Sequence, residues 1–133
     1  MDTGSSASKY RVFNLTKNTV LASELELADG AWTRIKGLLC RRAVDFTFGK
    51  GLWIVPSQGV HTIGMRFPID VVYLDSGYRV VHVRRTLPPF RFAALKWKAR
   101  SVIELPAGTL AQTRTCVGDV LEISAIKAEE GGA

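Results

Sequence analysis

The feature that most constrains the fold is a strand–turn–strand pattern at the centre of the chain. The apolar run IDVVYL, residues 69–74, leads into a turn signal at Ser76–Gly77 and is followed by YRVVHVRR, residues 78–85. β-Branched and aromatic residues on both sides of such a turn are typical of a β-hairpin. Pro68 precedes the first run and disfavours helix at Phe67. The pattern therefore predicts two paired antiparallel strands.

Similar short runs recur along the rest of the chain. Turn signals lie at Lys17–Asn18, residues 106–108 and Gly118–Asp119. The additional predicted strands are two within YRVFNLTKNTVLA (residues 10–22), GLWIVP (51–56), SVIELP (101–106) and VLEISAI (120–126). One segment, residues 29–42, instead has helical spacing of its apolar residues. We expect a mainly β fold, a compact antiparallel sandwich or barrel of short strands with one short helix.

The chain of 133 residues has the length of one domain. Residues 1–9 and 127–133 are small, polar or glycine-rich, which predicts disordered tails around a single domain at 10–126. The N-terminal residues lack the apolar core of a secretory signal, and no window approaches the ~20 apolar residues of a membrane span. We therefore expect a cytoplasmic protein, in which Cys40 and Cys116 are both thiols.

Positive charge is concentrated in one segment. The formal net charge is +6, and no acidic residue lies between Asp75 and Glu104. The cations and aromatic residues of this basic segment, 79–100, form a candidate surface that includes Arg84, Arg85, Phe90, Arg91, Phe92 and Trp97. Such a mixture is used by single-stranded nucleic-acid binders for phosphate contacts and base stacking. The alternative is a long loop whose aromatic side chains pack on the core while its cations stay solvated.

A carboxylate interrupts the first strand of the central hairpin. Strand alternation places Asp70 on the same face as Val72 and Leu74, so it is buried if that face is core. A buried carboxylate needs hydrogen-bond partners. The nearby candidates are His61, Thr62, Arg66 and the backbone N–H groups of the intervening loop. Asp70 then either orients His61 for proton transfer or ties the loop to the strand; we favour the structural role.

The sequence offers little else for chemistry. There is no G-x-S-x-G nucleophile motif, and Cys116 lies in a predicted turn rather than at a helix N-terminus. The two histidines and two cysteines show no metal-binding spacing, and Met65 is expected to fill the core. We therefore predict no metal and no cofactor.

Taken together, the segments resemble the uncharacterised proteins grouped as domain of unknown function 192 (DUF192), also called the UPF0127 type. The resemblance rests on six blocks in order: RIKGLL (34–39), GLWIVP (51–56), HTIGMRFPIDVVYLD (61–75), LPPFR (87–91), ARSVIELPAGT (99–109) and VGDVLEI (117–123). It implies a compact, mainly β fold with a small helix and no settled activity. The signature positions fall on His61, Met65, Pro68, Asp70, Glu104, Pro106 and Gly108. Many members carry an export signal.

Within this resemblance Glu104 becomes a second candidate carboxylate, which could converge with His61 and Asp70 in a polar cleft. We expect a non-enzymatic binding or accessory module that presents this cleft and the Phe90–Trp97 loop to a small ligand, glycan or peptide. The alternatives are an acid-base, hydrolase-like enzyme using His61 with Asp70 or Glu104, and nucleic-acid binding through the basic segment. Exposed aromatic side chains in the loop would favour a binding module.

Overall fold

The structure, a computed structural model, describes residues 9–28, 45–59 and 66–126. This part of the chain contains seven strands and one short helix. In chain order they are β1 (Lys9–Asn14), β2 (Thr19–Ala28), β3 (Gly49–Ile54), β4 (Ile69–Leu74), β5 (Val80–Leu87), β6 (Ser101–Pro106), α1 (Thr109–Thr113) and β7 (Leu121–Ala125). The mainly β class is confirmed. The helix predicted at 29–42 lies outside the described residues, as do 1–8 and 127–133.

All seven strands belong to one sheet, in the order β5-β4-β6-β3-β2-β1-β7. Neighbouring strands are antiparallel, as predicted, except for β2 and β3, which run parallel with Ala28 opposite Ile54. A parallel pair cannot be joined by a tight turn and needs a long crossover. Residues 29–48 make that connection.

The sheet curls until its two ends meet at one point. Arg79 and Val120, just before β5 and β7, form an antiparallel bridge. The amide of Val80 donates to the carbonyl of Asp119 at 2.8 Å, and the amide of Leu121 donates to the carbonyl of Tyr78 at 2.9 Å. Because the remainder of β5 has no such partner in β7, the result is a half-barrel closed at one end.

Side-chain alternation gives this sheet two apolar cores. The inner cluster takes residues from all seven strands and Leu110 of α1, and so fills the concave side. The outer cluster lies on β2 to β6 and is covered by Phe46, Phe67, Ala93 and Ala99 from the connecting segments. Both faces of the central strands are therefore buried, which explains why β4 and β6 are buried along their whole length.

Helix α1 was not predicted, because its five residues, TLAQT, are too short for a recognisable apolar period. It follows the predicted turn at 106–108, where Gly108 has a left-handed backbone with a φ of 98°. No side chain of its own first turn caps the helix. Its free N–H groups therefore need an acceptor from another part of the chain.

Candidate functional site

Asp70 supplies that acceptor and is 1% exposed on the inner side of β4. Its Oδ2 accepts hydrogen bonds from the amides of Gly108 at 3.1 Å and Leu110 at 2.9 Å. Its Oδ1 accepts a third from the amide of Thr86 at 2.8 Å. Thr86 belongs to β5, Leu110 belongs to α1 and Gly108 directly precedes α1, so the expectation that the partners lie in the nearby loop of residues 61–67 is wrong for these three bonds. The arrangement holds three separate segments together.

The bond to Thr86 stabilises an irregular point in β5. Ile69 pairs with Leu87 and Val71 pairs with Arg84, so Asp70 faces a bulge of two residues. Thr86 has a φ of 50° there, a left-handed conformation that is unusual for a β-branched residue. The Asp70 carboxylate compensates this strain, and the bulge sets the direction in which the chain leaves β5.

Glu104 lies on the other side of the sheet from Asp70. It pairs with Leu52 and Val71, both of the outer cluster, whereas Asp70 pairs with Leu105 of the inner cluster. The two carboxyl groups therefore do not converge in one cleft. Glu104 is 4% exposed, and burial raises its pKa to about 8, so it is mainly protonated at neutral pH. The other members of the predicted cleft, His61, Thr62 and Met65, lie outside the described residues.

The chain between β5 and β6, residues 88–100, is called the aromatic loop below. It exposes four large apolar side chains: Phe90 is 63% exposed, Phe92 71%, Leu95 78% and Trp97 76%. Several large apolar side chains exposed within one short segment of a small protein commonly mark an interaction site. The alternative predicted from the sequence, in which these aromatic side chains pack on the core, is wrong.

The base of the aromatic loop is nevertheless firmly attached. Ala93 and Ala99 are buried in the outer cluster. The hydroxyl of Tyr73 donates to the carbonyl of Ala94 at 2.6 Å, and the amide of Lys96 donates to the carbonyl of Gln58 at 2.9 Å. The side-chain amide of Gln58 donates in turn to the carbonyl of Trp97 at 3.0 Å. The exposed side chains are thus presented by a loop with a fixed backbone.

Several cations of the basic segment are exposed as well. Arg84, beside His82 on the outer face of β5, is exposed, as are Arg85, Arg91 and Lys98. The Lys98 ammonium lies 5.5 Å from the centroid of the Trp97 ring. Residues 79–100 contain no acidic residue, so the side chains of the basic segment carry positive charge alone.

A second polar cluster, not anticipated from the sequence, joins two turns about a hundred residues apart. Asp119 accepts hydrogen bonds from the side-chain amide of Asn14 at 2.9 Å and from Lys17 Nζ at 2.9 Å. Burial raises the pKa of Asp119, but these bonds outweigh it and leave the pKa below its ordinary value. Bonding to Asp119 and Cys116 raises the pKa of Lys17, so its amine stays protonated. The cluster therefore ties the two turns together. No local sequence signal indicates this contact.

Within residues 9–28, 45–59 and 66–126, no three His, Cys, Asp or Glu side chains lie close enough to hold a metal ion. His82 packs edge-on against Tyr73 with the rings 4.9 Å apart. Burial, together with the charges of Lys96 and Arg84, lowers the pKa of His82. Neutral His82 is therefore part of the outer packing.

Two solved structures share this fold and show the class of protein to which it belongs. A protein of unknown function from Novosphingobium aromaticivorans superposes with a TM-score of 0.73 at 18% identity, covering 86% of this chain and 83% of its own. A putative transcription regulator from Sinorhizobium meliloti gives 0.72 at 21%, covering 88% and 93%. At these identities the likeness shows the fold alone. The class is that of small proteins with this seven-stranded curled sheet.

Sequence comparison identifies the family to which the chain belongs. The DUF192 family model, described as an uncharacterized ACR, matches residues 12–123, and the chain belongs to that family. A UPF0127 protein of Pyrococcus furiosus is 33% identical over 112 residues, which cover 84% of this chain and 96% of that protein. Another, of Thermococcus sibiricus, is 30% identical over 116 residues, covering 84% and 73%. The resemblance noted in the sequence is confirmed. In the described residues, no helix is long and apolar enough to span a membrane.

Proposed function

We propose that this protein is a binding module whose contact surface is the aromatic loop together with the cations of β5. One observation carries the proposal: Phe90, Phe92, Leu95 and Trp97 are each more than three-fifths exposed on a loop that is bonded to the sheet at its base. Exposing such side chains to water is unfavourable unless a partner covers them. The fixed backbone reduces the conformational entropy that binding would cost.

The groups available for chemistry favour binding over catalysis. Asp70 is 1% exposed and uses both carboxylate oxygens to accept backbone N–H groups, so it is not presented to a substrate. Glu104 lies between Leu52 and Val71 beneath the surface. The acid-base alternative then depends on His61, outside the described residues, and stays a prediction.

The positive charge of the contact surface limits the classes of partner that can bind to it. The exposed part of the basic segment, residues 79–100, presents only positive charge, so it attracts an anionic partner more strongly than a neutral glycan or peptide. The partner must also offer apolar or ring surface to Phe90, Phe92 and Trp97. Nucleic acids and anionic lipid surfaces both meet these two requirements, whereas a small inorganic anion meets only the first.

The test is binding of the whole protein to two anionic probes, a fluorescent oligothymidylate and vesicles containing phosphatidylserine, in about 0.1 M salt. The wild-type protein should bind at least one of them. The variant Phe90→Ala/Phe92→Ala should weaken that binding by about tenfold or more, because stacked or inserted rings contribute about 1 to 3 kcal/mol each.

The matched control is Val117→Ala, which removes an exposed apolar side chain before β7. It should leave binding unchanged, and circular dichroism should show that both variants are folded. If the wild-type protein binds neither probe, or if the loop variant and the control bind equally well, the proposal is wrong.

A further inference from the structure

We propose that the partner of the aromatic loop is the surface of an anionic phospholipid bilayer, into which Leu95 and Trp97 insert while the surrounding cations contact the headgroups. This inference rests on the proposed function and assigns its partner. It concerns peripheral binding by a loop. The competing partner with the same charge, single-stranded nucleic acid, becomes an outcome of the test.

The most exposed side chain of the loop favours a bilayer surface over a nucleic acid. Leu95 is 78% exposed, more than any other large apolar side chain among the described residues. A leucine has no aromatic face on which a nucleobase could stack, so a nucleic-acid surface gives no reason to present it at the most exposed position. An acyl-chain environment does give a reason to expose Leu95, because binding to a membrane scales with the apolar area removed from water.

Trp97 also suits a bilayer surface better than a single-stranded nucleic acid. The Lys98 ammonium lies 5.5 Å from the centroid of its ring, which places a cation over one face and restricts stacking there. At a bilayer surface the same arrangement is favourable, because indole rings concentrate at the level of the headgroups and lysine side chains extend toward the phosphates. Trp97 and Lys98 are thus matched to an interface that is apolar on one side and anionic on the other.

Exposed cations lie close in sequence to Leu95 and Trp97. Arg84 and Arg85 are exposed on β5 and Lys98 is exposed in the loop itself, and residues 79–100 contain no acidic residue. Each cation near an anionic membrane contributes about 1 kcal/mol of attraction, or about fivefold in affinity. A few such cations and two to four inserted side chains together suffice for reversible binding.

The aromatic loop is attached to the fold on both sides of Leu95 and Trp97. Ala93 and Ala99 are buried on either side of Leu95 and Trp97, so the exposed pair is held outward by its neighbours. The amide of Arg100 donates to the carbonyl of Leu74 at 2.7 Å and closes the base of the loop on β4. Insertion therefore requires no rearrangement of the sheet.

The experiment is cosedimentation with vesicles of phosphatidylcholine, alone or mixed with phosphatidylserine, combined with tryptophan fluorescence. The wild-type protein should bind the anionic vesicles and not the neutral ones, and its emission should shift to shorter wavelength on binding. Quenching by lipids brominated in the acyl chain should accompany the shift. Both signals should disappear in Trp97→Phe, which keeps an inserted ring and so should still sediment with the vesicles.

Two matched pairs of variants separate insertion from general charge or folding effects. Leu95→Ser should reduce vesicle binding by about tenfold, whereas Leu15→Ser, which changes a leucine exposed beyond β1, should not. Arg84→Gln/Arg85→Gln should weaken binding by about fivefold for each cation removed, whereas Arg11→Gln on β1 should have little effect.

The outcomes distinguish the inference from the proposed function. If the protein binds oligothymidylate but not vesicles, and Leu95→Ser binds oligothymidylate as well as the wild type does, the lipid assignment is wrong while the binding function stands. If vesicles bind without a Trp97 shift or without a difference between Leu95→Ser and Leu15→Ser, the loop is not inserted and the inference also fails. If neither probe binds, both proposals fail.

Discussion

Three backbone N–H groups converge on the buried carboxylate of Asp70, so its substitution should be costly. Asp70→Asn replaces one carboxylate oxygen by an amide group that cannot accept, which leaves at least one buried donor unpaired. We expect the free energy of unfolding to fall by about 2 to 4 kcal/mol, measured by urea denaturation.

Asp75 offers the comparison, since its Oδ1 also accepts backbone amides, from Gly77 and Arg79, but at an exposed turn. Asp75→Asn should cost about 1 kcal/mol or less, because water replaces the lost acceptor. Equal losses for Asp70→Asn and Asp75→Asn would show that burial of the Asp70 carboxylate does not matter.

Glu104 should make stability fall as pH rises. Its pKa is about 8 in the folded protein against 4.5 as the ordinary value, so between these values the folded state holds a proton that the unfolded chain has released. The effect is absent below pH of about 4.5, grows by about 1.4 kcal/mol per pH unit, and levels off above about pH 8.

Glu104→Gln should flatten this part of the pH profile, measured by thermal denaturation over the same range. Glu122→Gln, a matched change at an exposed position of β7, should keep the wild-type slope. A Glu104→Gln profile as steep as that of the wild type would mean that another group holds the proton.

At the residue scale, burial of Asp70 could be predicted from the sequence and its partners could not. Burial follows from the two-residue period of a strand, which is local. The partners, Thr86, Gly108 and Leu110, lie 16 to 40 residues away and are brought to Asp70 by the bulge in β5 and by α1. The same holds for Asn14 and Asp119. Exposure of Phe90 and Trp97 likewise depends on where the loop leaves the sheet.

At the scale of elements, the packing of β3 against its neighbouring strands depends on the absence of a side chain at Gly51. A Cβ atom at Gly51 of β3 would lie 2.9 Å from Leu25 and 3.1 Å from Leu105, both in the inner cluster. Gly51→Val should therefore destabilise the protein by about 1 to 3 kcal/mol through overpacking, measured by chemical denaturation.

Gly77→Ala is the matched change, because the nearest atom to an added Cβ there is 3.6 Å away in an exposed turn. It should alter stability little. If Gly51→Val were as stable as Gly77→Ala, the two strands flanking β3 would have room that the distances do not show.

Tyr73 couples β4 to the aromatic loop through its hydrogen bond to Ala94. Tyr73→Phe keeps the buried ring and removes this bond, so we expect a loss of about 1 kcal/mol. Hydrogen exchange should become faster in the loop and stay slow in the inner strands. Unchanged exchange at residues 94–98 would mean that the other bonds at the base suffice.

The positions of the strands could be predicted, because turn residues and apolar runs are local signals. The parallel pairing of β2 with β3 could not, since a long connection permits either direction. Helix α1 could not be predicted either, because its stability comes from the Asp70 acceptor and the burial of Leu110, both of which are tertiary.

At the scale of the whole molecule, the two ends of strand β5 have different structural roles. Where β5 and β7 meet, backbone pairing and the Lys17–Asp119 ion pair close the sheet. At the opposite end of β5, the chain leaves through a bulge into the aromatic loop. The fold therefore places its rigid closure and its exposed apolar surface at opposite ends of one strand.

The single sign of charge around the aromatic loop also governs how copies of the protein behave toward one another. An exposed apolar patch would by itself make copies self-associate, but cations of one sign around it repel a second copy. Added salt screens this repulsion and strengthens apolar contacts. Sedimentation velocity should thus show monomers in dilute buffer and oligomers at high salt, which Leu95→Ser would prevent. The same residues that attract an anionic partner keep the free protein dispersed until it meets one.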